Sequence, residues 1–168
     1  MRAGFYAAKT HNIVACESCA LGPEIFSEIV RFVCDFADKN GISAYEELTG
    51  KGLLRHIYLR IAEKTGQIMV CLVINADKLP SAKKFAEELT ERFPSVTSVM
   101  LNINKKNTNV ILGEKFICIG GVDYIIDELC GLRFKISAGS FYQVNREGAE
   151  LLYGLARDRA DLAEPEGL

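Results

Sequence analysis

The chain has 168 residues, of which 49% are hydrophobic and 25% are charged, and its net charge is −2. This length suits one domain with a buried core. The charge balance argues against a strongly basic domain that binds nucleic acid through bulk charge. The sequence has no run of about 18 apolar residues, so no membrane span is predicted. Six cysteines without a secretory signal favour a reducing compartment, so we expect a cytoplasmic protein.

Three helices are predicted from apolar residues that recur at three- and four-residue spacing. The first covers residues 23–39 and begins with a proline, which suits the first helical position. The second covers 81–93, with Ser81 as the expected N-cap. The third covers 146–161.

The strands are predicted from alternating apolar and polar residues. Residues 53–61 and 67–75 form a hairpin in this interpretation. Further strands are expected at 96–104, 115–119, 122–127 and 130–136. Short connections favour a mainly antiparallel sheet, and the first two helices are expected to cover one of its faces. The sequence therefore predicts an α+β fold with a C-terminal linking helix.

An acid-free segment carries Lys51, Arg55, His56 and Arg60. On the predicted strand, His56, Tyr58 and Arg60 share one face, whereas Arg55 lies on the apolar side. Cations with an aromatic between them suit phosphate contact and base stacking. The solvated face of an antiparallel strand has the same pattern, so both interpretations stay open.

Two polar segments could form turns or bind a ligand. Asn102–Asn109 is rich in Asn and Lys, which suits a turn because Asn tolerates left-handed backbone. Its amides and two lysines also suit a phosphate backbone. In Ser140–Asn145, Asn145 could cap the third helix while Phe141 and Tyr142 are core. Alternatively, the Gln143 amide reads a ligand and an aromatic stacks on a flat ring. We expect Tyr142 and Val144 to be buried, and the 137–146 loop to be exposed or mobile.

Cys16 and Cys19 form a CxxC pair, which is half of a metal or redox motif. Two inert thiols, a partial set of cluster ligands and a redox pair all remain possible. No glycine-rich nucleotide loop is present, and neither histidine lies near a candidate nucleophile in the sequence. The sequence therefore assigns no catalytic residue.

Several motifs together resemble the RNA (uracil-5-)-methyltransferase family, which includes the bacterial 23S ribosomal RNA uracil methyltransferases. The most specific are FKISAGSFYQVN at residues 134–145 and TNVILG at 108–113. Shorter matches follow the same order at residues 4–6, 11–14 and 52–57. Ala138 departs from the pattern, because the family usually has proline there.

The resemblance implies that residues 1–145 form a central α+β domain. Residues 146–168 would be the first helix and linker into a catalytic domain that binds S-adenosylmethionine. The implied activity is methylation of uracil C5 in RNA, with 23S ribosomal RNA as the expected substrate. The family's cysteine nucleophile and general base would lie beyond Leu168, so this chain alone is expected to be inactive.

The resemblance also implies roles for single residues. Gln143 matches a glutamine beside the cofactor, and Phe141 matches a position near the flipped target base. Cys19 matches the last of four cysteines that hold a [4Fe–4S] cluster in many members. The other three would precede residue 1, so we expect no cluster in this chain alone.

The expected partner is RNA, contacted by Arg55, His56 and Arg60, with no membrane and no obligate protein partner. A rival hypothesis is a free-standing α+β module that binds RNA or a protein without catalysis.

Overall fold

A computed structural model describes residues 1–160 and shows the predicted α+β architecture. The helices are α1 (Glu24–Lys39), α2 (Ala82–Arg92) and α3 (Arg146–Ala160). The strands are β1 (Gly4–Tyr6), β2 (Ile13–Ala15), β3 (Leu54–Ile61), β4 (Ile68–Ile74), β5 (Val96–Ile103), β6 (Lys115–Gly121), β7 (Tyr124–Leu129) and β8 (Leu132–Ser137). The end of the predicted third helix and the linker to residue 168 lie outside the described residues.

The central sheet has the strand order β3-β4-β5-β6, and the β1-β2 and β7-β8 pairs form separate hairpins. Pairing is antiparallel within both hairpins, between β3 and β4, and between β5 and β6. In contrast, β4 and β5 pair in parallel. This parallel pair was not predicted, and it forms because α2 carries the chain back across the sheet between the two strands.

Helices α1 and α2 cover one face of the central sheet, as predicted. Their buried aromatic residues meet at Phe36 and Phe85, whose ring centroids are 5.1 Å apart in an edge-to-face arrangement. The approach of α2 to β6 depends on a glycine, because a Cβ at Gly120 would lie 2.7 Å from the Ala86 side chain. Because the two helices cover this face, other elements pack on the opposite face of the sheet.

The β7-β8 hairpin covers part of that opposite face. Its Ile125 and Ile136 pack in one cluster with Met69, Cys71 and Met100 of the central sheet. Because both of its faces are covered, β4 is buried along its whole length. Burial raises the pKa of the Cys71 thiol to about 12, so this cysteine belongs to the core.

Of the two N-caps considered from the sequence, the structure shows one and not the other. Ser81 precedes α2 in a left-handed conformation with φ of 55° and makes no capping hydrogen bond through its side chain, so the predicted cap is wrong. Asn145 does cap α3, because its Oδ1 accepts a hydrogen bond from the Gly148 N–H at 2.9 Å.

Only the first part of α3 packs against the rest of the described chain. Ala149 is buried, and Arg146 pairs with Glu150 at 2.8 Å and with Glu63 at 3.7 Å. Further along α3, apolar side chains are exposed: Leu151, Leu152 and Leu155. No helix within residues 1–160 is both long enough and apolar enough to cross a bilayer.

Candidate nucleic-acid interface

The strand β3 lies at the edge of the central sheet and carries the predicted basic and aromatic side chains. The Arg60 guanidinium lies 6.0 Å from the ring centroid of Tyr58. Its Nη1 donates to the carbonyl oxygens of Ser137 at 2.8 Å and Ser140 at 2.6 Å. Arg60 therefore ties β3 to the turn that precedes Phe141.

In the segment that follows this turn, one packed side chain lies among exposed ones. Phe141 is 85% exposed, and Gln143 is also exposed. Tyr142 between them is half-buried and packs near Phe134, with ring centroids 6.1 Å apart. Val144 is 89% exposed, so the expectation that both neighbours of Gln143 are buried is wrong at this position. The loop itself is exposed, as predicted.

Tyr142 anchors the segment through a buried carboxylate. Its hydroxyl donates to Asp127 Oδ2 at 3.3 Å, and the Lys64 N–H donates to Oδ1 of the same residue at 2.9 Å. Burial, followed by the Asp127 carboxylate, raises the pKa of Tyr142 to about 12. The phenol therefore keeps its proton at neutral pH and remains a donor. Nothing in the sequence identifies this anchor, because Asp127 and Tyr142 meet only in the folded chain.

Arg55 occupies an internal position, against the expectation that it contacts RNA. Its side chain is fully buried, and its Nη2 pairs with the Glu47 carboxylate at 3.2 Å. The Tyr45 ring lies against the guanidinium, with 4.3 Å between Cζ and the ring centroid. The remaining contacts are to backbone carbonyls of the loop after β5. A guanidinium held in this way contributes to the folded structure and is not exposed for contact with a ligand. The placement of Arg55 on the apolar side of β3 was the sequence signal for its burial.

His56 is half-buried beneath the β1-β2 hairpin. Its ring centroid lies 6.3 Å from that of Tyr6, which also contacts His11 with 5.9 Å between centroids. Burial lowers the pKa of His56, Arg55 lowers it further, and Glu47 partly opposes the shift. The imidazole is therefore mainly neutral at pH 7, so it can offer a ligand a ring and a hydrogen bond rather than a charge.

The cysteine pair does not complete a metal site among the described residues. Cys16 and Cys19 are half-buried, and Cys16 Sγ donates to the Ser18 carbonyl at 2.9 Å. Residues 1–160 contain no group of three or more His, Cys, Asp or Glu side chains placed to hold a metal ion. A [4Fe–4S] cluster needs about four ligands, so the described residues do not fit the whole group. The role of Cys19 as a ligand stays a prediction.

Gln143 lies on the exposed surface of the described residues. A cavity of about 740 Å³ lies between α1 and α2, lined by residues of both helices such as Glu28, Arg31 and Lys84. Gln143 is not part of its lining. The exposed amide can supply one contact to a cofactor, so no step of a reaction is assigned to it on this geometry.

Comparison with known proteins connects this arrangement to a class of enzymes. No family model matches the chain. It is 41% identical over 160 residues to an uncharacterized RNA methyltransferase of Bacillus cereus. It is 40% identical over 163 residues to another of Clostridium tetani. These matches cover 95% and 97% of this chain, which spans only 35% of the length of each relative.

A solved structure shows the same fold. The tRNA (uracil-54, C5)-methyltransferase of Pyrococcus abyssi, in complex with S-adenosyl-L-homocysteine, aligns with a TM-score of 0.74 and 25% identity. The alignment covers 96% of this chain and 37% of that enzyme. Sequence and fold together relate the chain to a segment of the RNA methyltransferases. Among these proteins, the resemblance to the uracil-C5 methyltransferases that the motifs indicated is confirmed.

Proposed function

We propose that this chain is part of an S-adenosylmethionine-dependent RNA methyltransferase that methylates the C5 carbon of uridine in 23S ribosomal RNA. The observation that carries the proposal is the arrangement of Phe141 and Gln143. Both are exposed on either side of the anchored Tyr142, in a chain about 40% identical to proteins named RNA methyltransferases. The reaction class would place the protein in ribosomal RNA processing in the cytoplasm.

We call the proposed substrate contacts together the RNA face: Tyr6, His56, Tyr58, Arg60 and Phe141. The face combines exposed or half-buried aromatic rings with the Arg60 cation. This combination suits a strand whose bases stack on rings while its phosphates meet a cation. Because the net charge is −2, binding would depend on this local surface rather than on the whole molecule.

The chemistry requires that the target uridine leaves its stack, because within paired RNA a protein nucleophile cannot reach C6, where its addition would make C5 reactive toward the methyl group. An exposed ring at Phe141 can contact the displaced base. The Gln143 amide can donate and accept hydrogen bonds at the base or at the cofactor. S-adenosylmethionine supplies the methyl group when bound. We assign neither the nucleophile nor the general base to a described residue.

We also propose that residues 1–145 form a central domain and that 146–168 lead into a catalytic domain. The exposed apolar side chains on α3, among them Leu151 and Leu152, support this division because a helix within a complete core buries such residues. Cys19 remains our proposed ligand for a [4Fe–4S] cluster in the full-length protein.

The proposal is tested by methyl transfer in vitro. Full-length protein is incubated with labelled S-adenosylmethionine and with unmodified 23S ribosomal RNA or transfer RNA transcripts. Mass spectrometry of the digested RNA then locates the methyl group. We expect 5-methyluridine in the ribosomal transcript. Methylation of transfer RNA alone would contradict the proposed substrate, and methylation at another atom would contradict the proposed reaction.

A further inference from the structure

Residues 104–113, which make up all but the last residue of the connection between β5 and β6, form a loop that buried polar side chains hold from inside. Asn104 is 2% exposed, and its Nδ2 donates to the carbonyls of Val110 at 2.7 Å and Ile111 at 3.0 Å. Its Oδ1 accepts from the Lys106 N–H at 3.3 Å. One side chain therefore fixes both arms of the loop.

A second asparagine closes the loop where it enters β6. Asn102 is fully buried, and its amide exchanges two hydrogen bonds with Gly113, at 2.6 Å from the N–H and 2.9 Å to the carbonyl. A Cβ at Gly113 would lie 2.0 Å from the carbonyl oxygen of Ile103. Only glycine allows this close approach, so the end of the loop can pack directly against the Ile103 backbone.

Arg55 of β3 is the third side chain that holds the loop. Its Nη1 donates to the carbonyls of Asn104 at 3.0 Å and Lys106 at 2.8 Å, and its Nη2 donates to Thr108 at 3.3 Å. Burying a guanidinium is costly unless it is paired and hydrogen-bonded. Here the buried charge is directed at the main chain of a surface loop, which gives that loop an order that connecting segments usually lack.

The outer surface of this ordered loop is suited to an anion. The segment from Asn104 to Gly113 contains no acidic residue, and Glu114 follows it directly before β6. Its exposed residues are Lys105, Lys106, Asn107, Asn109, Val110 and Ile111. Lys105 pairs with Asp77 at 2.8 Å and Lys106 with Glu114 at 2.7 Å, and all four side chains are exposed. Exposed ion pairs of this kind contribute little to stability, so a phosphate can replace either carboxylate.

We propose that the loop of residues 104–113 binds backbone phosphates of the RNA substrate through Lys105 and Lys106, and that Arg55 is the positioning residue that holds the loop in its binding shape. This inference rests on the proposed function, which names RNA as the substrate. Arg55 directly precedes His56 in β3, so the loop that Arg55 contacts lies near the same end of this strand as His56. Arg55 thus acts on RNA through the loop.

The first test measures RNA affinity of the full-length protein against salt concentration. In the double variant K105A/K106A, we expect an affinity loss of about tenfold and a salt slope smaller by about one to two, since each phosphate contact contributes about 0.7 to the slope for single strands and about 0.9 for B-form duplexes. The matched control is K83A/K84A on α2, which also removes two exposed lysines that pair with glutamates. The control should retain wild-type affinity and slope.

Equal losses in the two double variants would show an effect of general charge and would overturn the inference. Unchanged affinity in K105A/K106A would overturn it as well. If the wild-type protein methylates RNA in the assay above while the loop variants behave like wild type, only this inference fails. If the wild-type protein neither binds nor methylates RNA, the proposed function fails first.

The second test addresses the positioning role with Arg55→Lys, which keeps the charge but cannot reach three carbonyls and Glu47 together. We expect faster amide hydrogen exchange in residues 105–111, unchanged protection in β4, and several-fold weaker RNA binding. Asn104→Asp, which replaces the donor amide in a side chain of the same shape, should have the same effects and serves if Arg55→Lys does not fold. Faster loop exchange with wild-type affinity in both variants would exclude a positioning role.

Discussion

At the scale of single residues, one side chain of the segment Phe141–Gln143 anchors it to the fold, and the other two are free to contact a ligand. Tyr142 is fastened to Asp127, whereas its two neighbours face solvent. An unpaired exposed amide costs the fold little, so the fold itself does not require Gln143. This division allows stability and activity to be tested by different substitutions in adjacent residues.

Gln143→Ala should lower methyl transfer by at least tenfold, which is about 1.4 kcal/mol of lost transition-state stabilisation. The melting temperature should stay nearly unchanged because the side chain is exposed. The adjacent exposed residue provides the control: Val144→Ala should change neither quantity. A Gln143→Ala protein that unfolds readily but keeps normal activity per folded molecule would show that Gln143 is structural.

Tyr142→Phe, unlike Gln143→Ala, should lower the stability of the folded chain. It removes the hydroxyl that donates to Asp127, and a buried acceptor that loses a donor costs about 1–3 kcal/mol. Urea unfolding of the wild type, Tyr142→Phe, Asp127→Asn and the double variant forms a double-mutant cycle. Additive losses in that cycle would mean that the hydroxyl and the carboxylate do not interact energetically.

His56 should make stability depend on pH. Its pKa is lowered in the folded chain by burial and by Arg55, so below about pH 6.5 the unfolded state binds a proton more readily than the folded state. The stabilisation from the neutral imidazole is therefore complete above that pH and decreases as the pH falls. The unfolding free energy is measured at pH 7.5 and at pH 5.5. Its decrease between the two should be smaller in His56→Gln than in the wild type. An equal decrease in both proteins would contradict this role.

At the scale of elements, the contact between α2 and β6 sets the helical layer. Gly120→Ala would place a methyl group 2.7 Å from the Ala86 side chain, so the helix or the strand has to shift. We expect a loss of about 1–3 kcal/mol in unfolding free energy, as for other overpacked sites. Gly154→Ala on α3 is the matched substitution, because a Cβ there has no heavy atom within 4 Å, and it should be neutral or stabilising. A neutral Gly120→Ala would show that this contact is looser than the structure describes.

The elements themselves were largely predictable from local patterns. The second helix was predicted at residues 81–93 and is found at Ala82–Arg92, because its apolar spacing depends only on neighbouring residues. The parallel pairing of β4 with β5 was not predictable in that way. Strand pairing is a long-range property, and alternation in one strand does not determine its partner or its direction.

At the scale of the whole molecule, the candidate site shows the same limit of sequence reasoning. Phe141 and Gln143 could be singled out because two motifs carry the family resemblance. Arg55 was assigned to RNA because it lies in an acid-free segment, yet its guanidinium is enclosed by Glu47 and by a loop about 50 residues further along the chain. Burial of this kind is created by distant segments that meet on folding.

The central claim is that the protein methylates uridine at C5 in 23S ribosomal RNA, and mapping modified nucleotides in cells tests it most directly. Ribosomal and transfer RNA from a strain with the gene deleted are compared with RNA from the parent by mass spectrometry. The account predicts that one 5-methyluridine disappears from 23S ribosomal RNA and returns when the wild-type gene is restored. An unchanged set of 5-methyluridines in 23S ribosomal RNA, or a loss confined to transfer RNA, would contradict it.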